Sequence, residues 1–267
     1  MAEPLVLAGA LESALRAARG TGRKLLVPYV TGGAPGWLAA IEAAAAAGAD
    51  AVEIGIPFSD PVMDGPVIQA ASHQALAAGA TPVSILGDVE RLDAGIPLAV
   101  MTYYNPVFRA GHERFAGDLR RSGIAAAIVP DLPLEEAEPW CAAADGAGIE
   151  TVMLAAPTAP DERLPRICAR ARGFIYAVGL LGVTGERTSL ARTAVQLAAR
   201  VKAVTDKPVL VGVGVSNAAQ AVEACAVADG VVQGASVVRR LIEDGPDAVG
   251  RYVAEVRAAI DGAAVGR

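Results

Sequence analysis

Short runs of aliphatic and β-branched residues alternate with longer alanine-rich stretches along almost the whole chain, and this alternation constrains the fold most strongly. Each short run predicts a strand, and each longer stretch has the apolar spacing that is typical of a helix. About eight such units are present, which predicts a parallel sheet because parallel strands need long crossover connections. The predicted strands are residues 25–30, 51–54, 98–102, 126–129, 151–154, 174–178, 208–213 and 230–233.

The predicted helices complete these units. They cover residues 37–47, 66–78, 112–121, 134–146, 161–170, 191–204, 218–226 and 246–260, and another helix at 11–19 precedes the first strand. The 267 residues contain no obvious linker, so we predict the α/β class and a single-domain (β/α)8 TIM barrel over residues 1–267, with the extra N-terminal helix covering its lower end. An open, doubly wound sheet is the alternative, because periodicity does not distinguish open from closed parallel sheets.

Composition limits which residues can form the core and which classes of partner the chain can bind. Hydrophobic residues make up 53% of the chain and aromatic residues only 4%, so the core must consist mainly of Ala, Val, Leu and Ile. A net charge of -6 without a basic run argues against nucleic acid as a partner. The cysteines, Cys141, Cys168 and Cys225, have no paired spacing and predict neither a metal site nor disulfides. Without a recognisable signal or membrane segment, the sequence predicts a cytoplasmic protein.

The second predicted strand and its following loop carry the first candidates for chemistry, because barrel active sites lie at the carboxyl ends of the strands. Glu53 lies in an apolar strand, where burial raises a carboxyl pKa toward values useful for proton transfer. The loop at 55–66 adds Asp60 and Asp64 between glycine and proline residues that fix the backbone. The alternatives are an internal ion pair for Glu53 and turn capping for the two aspartates.

Glycine clusters follow the last three predicted strands. Gly182 and Gly185 follow strand six, Gly212 and Gly214 end strand seven, and Gly234 follows strand eight. Glycine lets backbone amides approach an anion, and barrels often bind phosphate at the loops after strands seven and eight. Together the clusters predict a phosphate site, although tight turns alone would explain each cluster taken singly.

Three other residues carry further predictions. Tyr103 directly follows strand three, where it is expected to line the pocket, although a tyrosine also packs well beneath a barrel rim. Arg239 and Arg240 are expected to lie on a solvated helix face.

The loop after strand two also carries a resemblance. Residues 52–66 read VEIGIPFSDPVMDGP, which looks like the signature stretch of the tryptophan synthase alpha subunit family. The likeness continues in order through PYVTGG at 28–33, MTYYNP at 101–106, PDLP at 130–133, GVTG at 182–185 and the glycines of strand seven. It covers nearly the whole chain and implies a (β/α)8 barrel.

The resemblance implies a lyase of tryptophan biosynthesis that cleaves indole-3-glycerol phosphate to indole and glyceraldehyde 3-phosphate. The reaction is a retro-aldol cleavage that uses no metal or organic cofactor. Glu53 matches the family's principal acid and base. Asp64 matches the carboxylate that holds the indole N–H and stabilises the indolenine cation, and Tyr176 matches a pocket tyrosine near the scissile side chain. Thr184 and Tyr103 are the further pocket residues.

The phosphate contacts implied by the resemblance involve Gly185, Gly214, Gly234, Ala235 and Ser236. The family usually has Gly-Ser after strand eight, whereas this chain has Gly234-Ala235-Ser236, so the hydroxyl is missing or moved by one residue. If the next helix starts one residue later than in relatives, Ser236 would be its N-cap and would compensate.

The partner implied by the resemblance is a beta subunit. Asp60 and Pro61 match the loop that docks on it, so an alpha2beta2 heterotetramer is expected. Two alternatives stay open: a stand-alone lyase that releases free indole, and an alpha-like subunit that mainly activates a beta subunit. A different phosphosugar barrel enzyme, such as an isomerase, would share the glycine loops but not the loop at 55–66.

Overall fold

A computed structural model describes residues 8–179, 192–212 and 214–265, and its parallel strands close into one barrel in chain order. Strand β8 pairs with β1 to complete the barrel, which confirms the TIM barrel and rules out the open sheet. That all 267 residues form one domain stays a prediction. The strands are β1 Leu25–Thr31, β2 Val52–Gly55, β3 Leu98–Met101, β4 Ala126–Ile128, β5 Glu150–Ala155, β6 Ile175–Val178, β7 Val209–Gly212 and β8 Gly230–Gln233.

Helices surround the barrel. In the described residues they are α1 Ala10–Gly20, α2 Trp37–Ala46, α3 Pro66–Ala77, α4 Pro82–Val89, α5 Tyr104–Ala110, α6 His112–Arg121, α7 Glu138–Ala147, α8 Leu164–Arg170, α9 Arg192–Lys202, α10 Ala218–Cys225, α11 Ala235–Asp244 and α12 Pro246–Val265. The predicted helix at 134–146 is split, because a short 3-10 helix at Leu134–Glu136 precedes α7. Helices α4 and α5 were not among the predicted elements, whereas α11 was expected as a helix after strand eight but without bounds. No helix of the described residues is both long and apolar enough to cross a membrane.

Strand residues alternate between the barrel interior and the surrounding helices. In β1, Leu26 and Val30 belong to the large cluster that packs against the helices, whereas Leu25 and Val27 belong to a second cluster inside the barrel. Both faces of the strands are therefore buried, as their continuous apolar sequences predicted. The same alternation points Glu53 of β2 inward, because Val52 and Ile54 on either side belong to the outer cluster.

Helix α1 covers the lower end of the barrel, as predicted. Leu11 and Leu15 are fully buried in the interior cluster. The N-terminus of α1 is capped from a distant strand, since the backbone N–H groups of Leu11 and Glu12 donate to the Glu150 carboxylate at 2.7 and 3.0 Å. Glu150 begins β5, so this contact fastens the helix to the barrel. The lower end is closed by packing, and the carboxyl ends of the strands are left to form a site.

Candidate active site

Glu53 lies inside the barrel, paired in register with Tyr29 of β1 and Ala99 of β3. It is 1% exposed, and its Oε2 atom has no hydrogen-bond partner. In the described part of the chain it forms no salt bridge, so the internal ion pair is not found there. Burial, and secondarily the nearby charge of Asp64, raises the pKa of Glu53 to about 8. The group therefore keeps its proton at neutral pH and is able to exchange it.

Asp64 is the second buried carboxyl group of the cavity. Burial raises its pKa to about 6, while a hydrogen bond with the Tyr103 side chain opposes that shift. Its backbone is held in the loop, because the Asp64 N–H donates to Pro61 O at 3.1 Å and Gln69 Nε2 donates to Asp64 O at 2.9 Å. One carboxylate oxygen, Oδ1, has no partner, so it is available to a ligand.

Two tyrosines of the barrel interior each lie against a glycine of the next strand. A Cβ atom on Gly55 would lie 1.8 Å from the Tyr29 hydroxyl oxygen, and one on Gly212 would lie 2.2 Å from the Tyr176 ring. Only glycine leaves room for these rings. Burial raises the pKa values of both phenols, and the nearby Glu53 adds to the shift, so both stay protonated as donors. Tyr29 was missed, although an inward position on β1 next to Glu53 was a usable signal.

A cavity of about 580 Å³ lies at the carboxyl ends of the strands. It brings together most of the predicted site residues: Glu53, Asp64, Tyr176, Gly214, Gly234, Ala235 and Ser236. Tyr29, Ile68, Met101, Ile128, Leu154 and Val232 add a largely apolar wall. A cavity with convergent polar groups of shifted pKa is typical of an active site.

The cavity has an end suited to an anion. Helix α11 begins there at Ala235, with Gly234 as its N-cap and no capping side chain. The first amides of a helix have no acceptor within the helix, and its dipole favours negative charge at this end. Gly214, also in the wall, has a φ of +88°, which side chains disfavour. These groups fit a phosphate.

The condition under which Ser236 would be an N-cap is not met. The helix starts at Ala235, so Ser236 lies within its first turn. Ser236 is 1% exposed, and its Oγ lies 3.2 Å from the Tyr252 hydroxyl. The side chain thus has a protein partner.

Tyr103 has a different position from the one predicted. The described residues that line the cavity do not include it. Its hydroxyl instead accepts a hydrogen bond from the Met63 N–H at 2.9 Å, and its ring stacks on Phe58 with centroids 5.0 Å apart. Tyr103 therefore packs against the loop that carries Asp64, on the side away from the cavity. Thr184 and Gly185 lie outside the described residues.

The two residues predicted at a partner interface differ in exposure. Asp60 is exposed and accepts a hydrogen bond from Ser59 Oγ at 2.5 Å, whereas Pro61 is buried. The next side chains, Val62 and Met63, are 75% and 37% exposed. Apolar exposure beside a cavity loop is consistent with a partner, although Pro61 itself offers little surface.

The chain is similar to known proteins over nearly its whole length. Residues 15–262 match the family model described as tryptophan synthase alpha chain. A tryptophan synthase alpha chain of Thermobifida fusca is 45% identical, and the match covers 95% of this chain and 98% of that one. One from Streptomyces coelicolor is also 45% identical, with 90% of each chain covered.

Solved structures agree with the sequence relatives. A chain in a Mycobacterium tuberculosis tryptophan synthase structure superimposes with a TM-score of 0.88 at 39% identity, covering 95% of this chain and 99% of that chain. Tryptophan synthase subunit alpha of Legionella pneumophila gives a TM-score of 0.86 at 30% identity, covering 96% of this chain and 100% of that one.

Proposed function

The chain belongs to the tryptophan synthase alpha chain family, and we propose that its cavity cleaves indole-3-glycerol phosphate to indole and glyceraldehyde 3-phosphate. The observation that carries the proposal is the buried Glu53, with a pKa raised to about 8, in the same cavity as the N-terminus of α11. One end of the cavity suits proton transfer, and the other suits a phosphate.

The two carboxyl groups have different protonation states at neutral pH. With pKa values of about 8 and about 6, Glu53 is mainly protonated and Asp64 mainly ionised. Carboxyl groups whose environments separate their pKa values in this way typically divide the roles of acid and electrostatic stabiliser.

In the proposed reaction Glu53 first acts as an acid. It donates its proton to C3 of the indole ring, and the positive charge that forms on the ring is stabilised by the Asp64 carboxylate, which accepts the indole N–H. Glu53, now ionised, takes the proton of the glycerol hydroxyl next to the scissile bond. The carbon–carbon bond breaks, its electron pair restores the aromatic indole, and the aldehyde of glyceraldehyde 3-phosphate forms. Glu53 gives one proton to C3 and takes one from the hydroxyl, so its protonated form is regenerated.

The rest of the cavity would orient the substrate. The backbone amides near Gly214, Gly234 and Ala235 are proposed to bind the phosphate, with Gly185 as a further predicted contact. Ser236, also predicted there, lines the same end of the cavity with its side chain on Tyr252. The apolar wall suits the indole ring. Tyr176 lines the same cavity and is proposed as a hydroxyl donor near the scissile side chain. Thr184 stays a proposed pocket residue.

We further propose a cytoplasmic beta subunit as partner, in an alpha2beta2 heterotetramer. The exposed Asp60, Val62 and Met63 lie in the same loop as Asp64. A partner that orders this loop would fix the position of the Asp64 carboxylate and raise turnover.

The test measures indole release from indole-3-glycerol phosphate by the purified chain, with and without the cognate beta subunit. We expect slow cleavage alone and a marked increase with the partner. Full speed alone and no stimulation would identify a stand-alone lyase. No cleavage under either condition, with activation of the beta subunit retained, would identify a non-catalytic alpha-like subunit and contradict the proposal.

A further inference from the structure

Tyr252 of α12 connects the elements that form the phosphate end of the cavity. Its side chain is buried, and its hydroxyl oxygen lies 3.0 Å from Ser216 O, 2.9 Å from Gln233 Nε2 and 3.2 Å from Ser236 Oγ. These partners belong to the loop after β7, the end of β8 and the first turn of α11. One phenol on a helix outside the barrel thus joins three separate segments.

The number of protons on each group indicates the direction of these three hydrogen bonds. The phenol has one proton, and the Ser216 carbonyl is an acceptor only, so Tyr252 donates to it. The Gln233 amide donates to the phenol oxygen, which has room for a second donor. That donor is the Ser236 hydroxyl. The Ser236 proton is therefore used by Tyr252, and the serine oxygen offers only lone pairs to an approaching phosphate.

Arg240 strengthens the same junction. Its guanidinium carbon lies 3.8 Å from the centroid of the Tyr252 ring, and its Nη1 donates to Ser236 O at 2.8 Å. The prediction of a solvated helix face is therefore wrong for Arg240, which is half-buried against the ring. A cation over an aromatic ring is attracted to the face of that ring. The contact between Arg240 and Tyr252 therefore holds α11 against α12.

We propose that Tyr252 is a positioning residue for the phosphate of the substrate, holding the loop after β7 and the first turn of α11 at the separation at which their amides converge on one anion. This inference rests on the proposed function. It assigns Ser236 to the support of the site, and it leaves the contact with phosphate to backbone amides of Gly214, Gly234 and Ala235. Phosphate affinity is thereby set partly by a side chain that does not touch the ligand.

The test uses Tyr252→Phe, which keeps the ring under Arg240 and removes only the hydroxyl. Loss of one hydrogen bond in the junction is expected to weaken glycerol 3-phosphate binding, measured by calorimetry, by about threefold to tenfold. The KM for indole-3-glycerol phosphate should rise by a similar factor, while kcat and the affinity for indole stay unchanged. Tyr104→Phe is the matched control, because it removes a phenol hydroxyl that contacts His112, and phosphate binding should not change.

A double-mutant cycle with Ser236→Ala separates support from direct contact. If Ser236 acts through Tyr252, Ser236→Ala weakens phosphate binding in the wild-type background and has no further effect in Tyr252→Phe. Equal losses in both backgrounds would place the serine on the phosphate and overturn the assignment. Unchanged phosphate affinity in folded Tyr252→Phe would overturn it as well. If Tyr252→Phe does not fold, unchanged phosphate affinity in Ser236→Ala would overturn the assignment instead.

The calorimetric reading is independent of turnover. A wild-type chain that binds glycerol 3-phosphate but does not cleave indole-3-glycerol phosphate contradicts the proposed function, whereas normal cleavage with an unaffected Tyr252→Phe variant contradicts only the role of Tyr252.

Discussion

Glu53 and Asp64 line the same cavity, where burial raises the pKa of Glu53 and the Asp64 carboxylate adds to that rise. The two pKa values, about 8 for Glu53 and about 6 for Asp64, set the order in which the two groups lose their protons. Asp64 ionises first, and its charge then makes ionisation of Glu53 less favourable. The group that stabilises the product of the first proton transfer thus also contributes, beside burial, to keeping Glu53 protonated for that step.

The coupling predicts the effect of Asp64→Asn on titration. Removal of the charge should lower the pKa of Glu53 from about 8, because one of the two causes of its rise is lost. NMR titration of labelled glutamate carboxyls measures it directly. Asp131→Asn is the matched control, since Asp131 also lines the cavity but is not among the groups that shift Glu53. A lower pKa in both variants would assign the shift to general charge instead of to Asp64.

Burial of Glu53 also predicts how stability depends on pH. Its folded pKa of about 8 lies above the ordinary value of 4.5, so the folded state holds a proton that the unfolded state releases between these values. The contribution of Glu53 to the free energy of unfolding is therefore fully present at low pH and is lost as pH rises toward about 8. Glu53→Gln cannot ionise, so its melting temperature relative to wild type should increase between about pH 5 and about pH 9. A constant difference across that range would show that Glu53 is not buried as described.

The contact between Tyr29 and Gly55 predicts an asymmetry between two glycine substitutions. Gly55→Ala would place a Cβ atom 1.8 Å from the Tyr29 hydroxyl oxygen, and the overpacking should destabilise the fold by roughly 1–3 kcal/mol. Gly87→Ala lies in helix α4 with open space around it and should stabilise by about 0.5–1 kcal/mol. Denaturant unfolding measures both values. Equal changes in the free energy of unfolding for the two substitutions would mean that the Tyr29 ring does not pack against β2.

The amides at the start of α11 predict the effect of adding a hydroxyl beside them. Ala235→Ser adds a donor at the anion end of the cavity and should lower the KM for indole-3-glycerol phosphate by about tenfold or less, with little change in kcat. Ala218→Ser is the matched control, because Ala218 also begins a helix but does not line the cavity among the described residues. No change in KM or in glycerol phosphate inhibition would show that a side-chain hydroxyl at position 235 does not contact the phosphate.

Periodicity identified the strands well, because a strand buried on both faces leaves a continuous apolar run that the barrel requires. The predicted strand at 25–30 differs from β1 by one terminal residue, and the predicted strand at 230–233 matches β8. Helix α4 was missed although its signal was present: Pro82 opens it, and Thr81 and Ser84 form a reciprocal capping box. Helix α5 was missed because Pro106 interrupts its short sequence.

Only some of the functional residues of the site could be predicted from the sequence. Glu53 and Asp64 stand out in sequence, as a carboxyl group within an apolar strand and another in a rigid loop. Tyr252 does not, because its role depends on α12 packing beside α11 and β8 after the barrel has closed. The same holds for Tyr29, whose neighbour Gly55 is fixed by the register between β1 and β2. Sequence patterns report local periodicity, and such contacts arise only from tertiary packing.

Proton transfer by Glu53 is tested by the turnover of Glu53→Gln with indole-3-glycerol phosphate. The substitution keeps size and polarity but removes the ionisable group, so kcat should fall by about two or more orders of magnitude while glycerol 3-phosphate still binds. That retained binding shows that the cavity is intact. Wild-type turnover in a folded Glu53→Gln protein would show that Glu53 does not transfer the proton.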